Sequence, residues 1–316
     1  MTNRLAKLFN EICIYAVTIR EVIADTKSAK KWARSNELVK EQILKDSDRL
    51  IAGNPMLSPV ISHIQNNAGI SVFNSEFESK YTEKKRILYD QNRKLKYVVH
   101  NGKALYYPRL WRSSKISEMY NSICCEQDVL SPHRYLDDGE NLDNYVIFDC
   151  GCAEANFALD VIENAKAVYL FEGDGCWNQP LNATFSDYID KVTIVNGMIG
   201  KKDEHVISLR EYMEQLVIDN KLDLDNDKIF VKMDIEGHEL EVLEDLLPIL
   251  DRAKNLELAV CVYHNQQDEE LARNMIPEGY TTRVREGYML FLWEGKTAEY
   301  PYFRHGIMRI KRLIGG

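Results

Sequence analysis

From residue 145 onward, short apolar runs alternate with segments of helical periodicity. This alternation constrains the fold more than any other feature of the 316-residue chain. The apolar runs are 145–149 (YVIFD), 166–171 (KAVYLF), 191–196 (KVTIVN), 228–233 (KIFVKM) and 256–262 (LELAVCV). Helical spacing separates or follows them at 154–164, 175–186, 209–220, 238–250 and 267–276. Strands that alternate with helices predict an α/β fold, a doubly wound Rossmann-like sheet that is mostly parallel with right-handed crossovers. Two further apolar pieces, near 280–285 and 287–294, have no helix between them and predict an antiparallel hairpin at the C-terminal edge.

The first third reads differently. Leu5, Leu8, Phe9, Ile12, Ala16, Ile19 and Ile23 fall at helical spacing, and residues 36–51 repeat the pattern up to Gly53 and Pro55. Residues 76–97 are charged and helix-like, and 97–107 (YVVHNGKALYY) is β-like. The reading is a mainly helical accessory region over 1–115, a connector over 116–144 that would cover a cofactor, the sheet domain over 145–300 and a basic tail over 301–316. The first helix could pack on the body, pair with a second copy in a homodimer, or lie on a membrane. The tail sets Arg304, Arg309, Lys311 and Arg312 beside Phe303, Ile307, Met308, Ile310, Leu313 and Ile314. Terminal packing or peripheral membrane contact would both suit it.

Charge narrows the partners. The chain carries a net −9 with pI near 5.4, which counts against nucleic acid, since phosphate binding calls for a basic surface. The charge is uneven: residues 1–115 carry a net +10 and the remainder a net −19. The seven cysteines are odd in number, include the adjacent Cys124 and Cys125, and form no C-x-x-C pair. That is neither a disulfide framework nor a zinc knuckle, and it predicts a reducing, cytoplasmic setting. Neither a signal peptide nor a run of about 18 apolar residues is visible.

Ligands of doubly wound sheets sit beyond the carboxyl ends of the strands, at the switch point. The first strand ends in FDCGCAEANFAL (148–159), where Asp149 closes the strand, Gly151 makes the turn, and Ala153 and Ala155 let a ligand approach the backbone. Glu172 closes the second strand, 21 residues after Gly151, a spacing that suits a ribose diol. A pyrophosphate would want glycine where Ala153 and Ala155 stand, and Asp149 and Glu154 would repel it. A sulfonium cation without phosphate would be favoured there, so the loop fits S-adenosylmethionine better than a nicotinamide dinucleotide. The fourth strand ends in KMDIEGHE (232–239). Helix N-terminal chemistry accounts for Glu239 and Glu241, whereas Asp234 and Glu236 read as site residues. His264 and Asn265 follow the fifth strand and would face the same cleft.

These segments resemble the FkbM family of S-adenosylmethionine-dependent methyltransferases over roughly residues 126–305. The resemblance rests on VIFDCGCAEANFAL, VYLFEGD (168–174) and IFVKMDIEGHELEVL (229–243), with SPHRYL (131–136), VCVYH (260–264) and GYMLFLW (287–293) in support. The family usually carries glycine at the position of Ala155 and often alanine at that of Cys152. The resemblance implies Asp149 and Gly151 at the methionine end of the cofactor and Glu172 on the ribose, and Cys152, Ala153 and Gly173 are expected among the cofactor-binding residues beside them. It implies Ser131, His133 and Arg134 lining or covering the cleft, and Asp234 and Glu236 facing the reacting centre. The implied reaction is O-methylation of a sugar hydroxyl in a cell-surface polysaccharide or glycolipid; the expected location is the cytoplasm, with peripheral contact at the inner face of the membrane as an option. A small natural product is an alternative acceptor, and an inactive scaffold of a glycan-assembly complex is an alternative role. Asp234, Glu236 and His264 are the candidate bases for such a transfer. The same carboxylates could hold a divalent cation, although no metal is expected.

Overall fold

The computed structural model describes residues 34, 36–200, 206–290 and 302–313. The helix expected over 5–23 and the end of the 287–294 run lie outside these residues. The chain divides into two compact units, at Asn74/Ser75 and again at Met289/Leu290 and Tyr302/Phe303. In the smaller unit, helical residues 36–45 lead into α1 (Ser47–Gly53) and α2 (Ser58–Asn66). Asn54 breaks the path between them and caps a 3₁₀ turn by accepting from the Met56 amide at 3.1 Å. Val39, Ile43, Leu50, Ile61 and Ile64 are buried there.

The larger unit opens with a three-stranded antiparallel meander: β1 (Leu88–Asp90), β2 (Leu95–His100) and β3 (Lys103–Tyr107). Its second turn is Asn101-Gly102, both with positive φ (49° and 83°), the geometry of a tight hairpin loop. The charged 76–97 segment is therefore a 3₁₀ turn (Glu76–Tyr81) followed by strands, not a helix. Helix α3 (Ser113–Glu126) follows and buries Ile116 and Ile123.

The main sheet is as the alternation predicts. Strands β4 (Tyr145–Cys150), β5 (Ala167–Glu172), β6 (Val192–Asn196), β7 (Lys228–Met233) and β8 (Asn255–Cys261) are parallel neighbours in the order 8-7-4-5-6. Helices α4 (Asn156–Val161), α5 (Asn178–Thr184), α6 (Leu209–Ile218), α7 (Glu239–Arg252) and α8 (Asp268–Met275) make the crossovers. Central strands such as β4 and β7 are mostly apolar without alternation because both faces are covered, with Asp149 and Lys232 the charged exceptions near their ends. One core cluster joins Phe148, Val231 and Leu258 of the sheet to Met213, Leu243 and Leu246 of α6 and α7.

The antiparallel C-terminal edge is present, with a different second strand from the one expected. Strand β9 (Tyr280–Val284) pairs with β10 (Ile307–Arg312), and β10 pairs with β8, so the sheet order is 9-10-8-7-4-5-6. The segment read as a basic tail thus supplies an interior strand. Its apolar residues Ile307, Met308 and Ile310 are buried, and its cations have internal partners. Arg309 donates to both oxygens of Glu140 (2.6 and 2.8 Å), to Glu257 (3.1 Å) and to the Tyr135 carbonyl (3.0 Å). Arg312 donates to the carbonyls of Leu250 (2.6 Å) and Ala253 (2.8 Å). Positive residues in a sequence tail look like solvated charge. Here Arg309 neutralises buried acids and Arg312 is spent on backbone carbonyls.

Removing one partner of a buried ion pair strands the other. Arg309→Ala is therefore expected to destabilise the fold by about 3–5 kcal/mol, read by urea denaturation.

Candidate functional site

The switch point lies between β4 and β7, where the crossovers leave in opposite directions. Asp149 and Lys232 are register partners on these strands and face each other, with Nζ 3.0 Å from Oδ1. Both are buried. Nζ also donates to the Gly151 carbonyl (2.7 Å) and lies 5.2 Å from the centre of the Tyr135 ring. Burial alone would strip the Lys232 proton, but the charges of Asp149 and Asp234 outweigh it and push the amine up.

The loop after β4 is tightly wound. Gly151, Ala153 and Ala155 all have positive φ (72°, 45° and 59°). A Cβ at Gly151 would sit 1.9 Å from the Asp234 carbonyl oxygen, so glycine alone fits. The amides of Gly151 and Cys152 donate to the Phe171 carbonyl (3.0 and 3.1 Å). The Ala153 amide donates to Glu172 Oε2 (2.8 Å), and the Asp174 amide donates to Oε1 of the same carboxylate (2.7 Å). Glu172 is thereby fixed beside the loop, with acceptor capacity to spare.

The loop after β7 holds the second half of the site. Tyr135 and Tyr263 donate to the two oxygens of Asp234 (2.8 and 3.3 Å), and His133 Nε2 lies 3.5 Å away. Burial opposes the Asp234 charge, yet His133, Lys232 and His264 outweigh it and hold the carboxyl well below the usual range. Glu236 (φ 59°) and Gly237 (φ 100°) turn the chain into α7. Glu239 does more than complement the helix dipole. Its buried carboxylate accepts from the amides of Ile235 (2.8 Å) and Gly237 (3.0 Å) and meets His264 Nδ1 at 3.0 Å. His264 Nε2 faces Glu236 (3.5 Å) and Asp234 (3.9 Å).

His264 is buried rather than facing the cleft as a loop residue. Burial would lower its pKa, but the surrounding Glu236, Glu239 and Asp234 push it up to about 10. It therefore carries its proton at neutral pH and suits a donor or positive neighbour better than a base. Asp234, Glu239 and His264 bring ligand atoms within 4.8 Å of one another, as do His133, Asp234 and Cys261. Either set has the donor types a divalent cation takes.

Together these elements wall a cavity of about 230 Å³. Of the residues singled out in the sequence, Asp149, Gly151, Cys152, Ala153, Asp234 and Glu236 line it. Glu172 stands next to it through the Ala153 amide, and Gly173 packs against Met198, where a Cβ would fall 2.6 Å from Cγ. Ser131 and Arg134 do not line it. The Ser131 hydroxyl accepts from the His133 amide (3.1 Å), and Arg134 opens onto a separate crevice of about 280 Å³ beside Asp160 and Glu163. In the same segment His133 and Tyr135 reach Asp234 instead. Glu154, read from the sequence as a charge that would repel a pyrophosphate, lines the cavity too, whereas sequence reading missed Lys232, Tyr135, Tyr263 and Glu126 of this site. A lysine inside the apolar run 228–233 was the one available signal.

No protein-family model matches the chain, and no curated protein does. Similar solved structures include methyltransferase FkbM from Methylobacillus flagellatus KT, at 14% identity and TM-score 0.39, covering 78% of this chain and 64% of that one. Precorrin-6y C5,15-methyltransferase from Geobacter metallireducens GS-15 shares 13% identity at TM-score 0.33, over 54% of this chain and 82% of that one. An rRNA methylase from Streptococcus thermophilus shares 14% identity at TM-score 0.33, over 54% and 88%. The chain spans 64% of that FkbM structure's length.

Two outcomes follow from the buried charges. Lys232→Met leaves Asp149 without its counter-charge and should cost about 3–5 kcal/mol at neutral pH, with the loss shrinking in acid as the lone carboxyl takes a proton. Urea titrations at several pH values read this, and Asp149→Asn in the same chain should restore part of the loss. His264 binds its proton more tightly folded than unfolded. Its contribution to stability is thus complete below about pH 6.5 and is lost as pH rises toward 10. Stability of His264→Gln should lack that alkaline decline.

Proposed function

We propose that the chain is an S-adenosylmethionine-dependent O-methyltransferase whose acceptor is a hydroxyl of a sugar, in a polysaccharide or glycolipid assembled in the cytoplasm. One observation carries the cofactor. The cavity at the switch point is walled by the carboxyl groups of Glu126, Asp149, Glu154, Asp234 and Glu236, with Glu172 fixed at the end of the adjoining strand. That set suits a ligand with a positive centre and a diol. It would repel a pyrophosphate, which the Ala153 methyl on the cavity wall would also crowd; Ala155, read from the sequence as part of this approach, is buried behind it. The Gly151 turn, which has no room for a Cβ, keeps the backbone close to such a ligand. The resemblance to FkbM supports the sugar acceptor.

When bound, S-adenosylmethionine supplies an electrophilic methyl group on its sulfonium. Glu172 would hold the ribose diol, and the loop from Gly151 to Glu154 would hold the amino-acid end. His133, Lys232 and His264 keep Asp234 ionised, and Tyr135 and Tyr263 fix its direction, so it can orient the acceptor hydroxyl by accepting from it. Glu236 is 73% exposed at its side chain, at the rim where an acceptor enters. It is the candidate to take the hydroxyl proton, with His264 Nε2 3.5 Å away to hold its direction. Positioning then supplies most of the rate.

Calorimetric titration with S-adenosylmethionine, S-adenosylhomocysteine and NAD tests the cofactor. The first two should bind and NAD should not; the reverse would overturn the reading. Glu172→Ala should weaken S-adenosylmethionine by roughly 1.5–3 kcal/mol, the range for a hydrogen bond to a charged group. With a sugar acceptor, Glu236→Gln should lower kcat by about 100-fold or more while leaving cofactor affinity in place.

A further inference from the structure

The proposed mechanism counts Glu154 among the acids of the cavity but leaves its burial without a counter-charge unexplained. Glu154 sits in the loop after β4 and lines the cavity, yet is only 5% exposed. Among the described residues its side chain has no ion pair and bonds only its own amide. An unpaired acid in so closed a place is costly, and the neighbouring elements do little to offset it. From α3, Glu126 adds a second carboxyl to the same wall, bonded only by the Ser122 hydroxyl at 3.3 Å. From β4, Asp149 adds a third that is committed to Lys232. From β7, Lys232 spends its protons on Asp149 and the Gly151 carbonyl. From β3, the fully buried Tyr107 hydroxyl lies within electrostatic reach and has no hydrogen-bond partner of its own. Within the loop, the buried Cys152 thiol contributes no charge.

We propose that Glu154, with Glu126 beside it, forms a proton-coupled cation subsite, in which a positively charged group of the ligand replaces the proton that Glu154 carries in the empty cavity. The inference rests on the methyltransferase reading, in which the ligand is a sulfonium that also bears an ammonium group. Burial, joined by the charges of Glu126 and Asp149, pushes the Glu154 carboxyl up to about 8. The empty site therefore holds the proton at neutral pH. A cation set against the carboxyl reverses the balance, because the opposite charge favours the ionised form. The proton leaves to solvent and net charge in the cavity is conserved. The site thus has a built-in pH dependence, with the ligand held more firmly as the medium becomes alkaline.

The test is titration of the full chain with S-adenosylmethionine between pH 6 and 8.5, in two buffers of different ionisation enthalpy. Wild-type affinity should rise by about tenfold per pH unit up to about pH 8 and then level, with close to one proton released per ligand at pH 6.5. Glu154→Gln should bind with that slope and that release removed. Glu126→Gln should keep the slope but shift its midpoint to lower pH, since one of the charges that raises Glu154 is gone. Wild-type binding with no pH dependence would overturn the subsite and leave the methyltransferase reading standing. A slope that survives in Glu154→Gln would overturn it equally. Failure of S-adenosylmethionine to bind at any pH would overturn both.

Discussion

The buried pair of Lys232 and Asp149 is the interaction on which the rest of the site depends. Two charges taken out of water cost several kcal/mol each, and they are tolerable only when each finds the other and little remains unsatisfied. Lys232 meets this condition by reaching across from β7 to Asp149 on β4 and up to the Gly151 carbonyl. One amine thereby ties both central strands to the start of the loop. The position of Gly151 then follows, pressed against the Asp234 carbonyl so closely that a methyl group would not fit. Both halves of the candidate site are thus registered against each other by one salt bridge and one glycine.

Around this fixed point the charges fall into a pattern. Asp234 is surrounded by donors and cations from three segments, namely His133 with Tyr135, Lys232, and Tyr263 with His264. Glu239 and Glu236 do the converse for His264 and keep its proton in place. These groups are mutually committed and make a rigid floor. The acids left over, Glu126 and Glu154 on the far wall and Glu172 beside it, are not committed to the floor and give the cavity its acidic wall. A rigid floor with an acidic wall is the arrangement expected of a site that orients one reactant and holds a cation in another.

Much of this was legible in the sequence. The parallel strands follow from apolar runs without alternation, which only a sheet covered on both faces allows. Gly151, Glu172, Asp234 and Glu236 follow from where the strands end. The basic residues misled in two places, for one physical reason. In β1 to β3 and in β10, Lys and Arg sit within strands, where periodicity cannot distinguish a solvated charge from one neutralised by a distant acid. Arg309 is paired with Glu140 and Glu257, far from it in the chain, so its burial is invisible locally. Lys232 escaped notice in the same way, because its partner lies on another strand. Tyr135 and Tyr263 act through hydroxyl groups whose role depends on Asp234 being within reach, and only the fold brings them there.

The central claim is that the acidic cavity between β4, β5 and β7 is where an adenosyl cofactor sits. A crystal structure with S-adenosylhomocysteine bound tests it most directly. The account predicts the ribose diol on the Glu172 carboxylate and the amino-acid end along Gly151 to Glu154, with Asp234 facing the sulfur. Density for the ligand anywhere else, or a ribose turned away from Glu172, would contradict it.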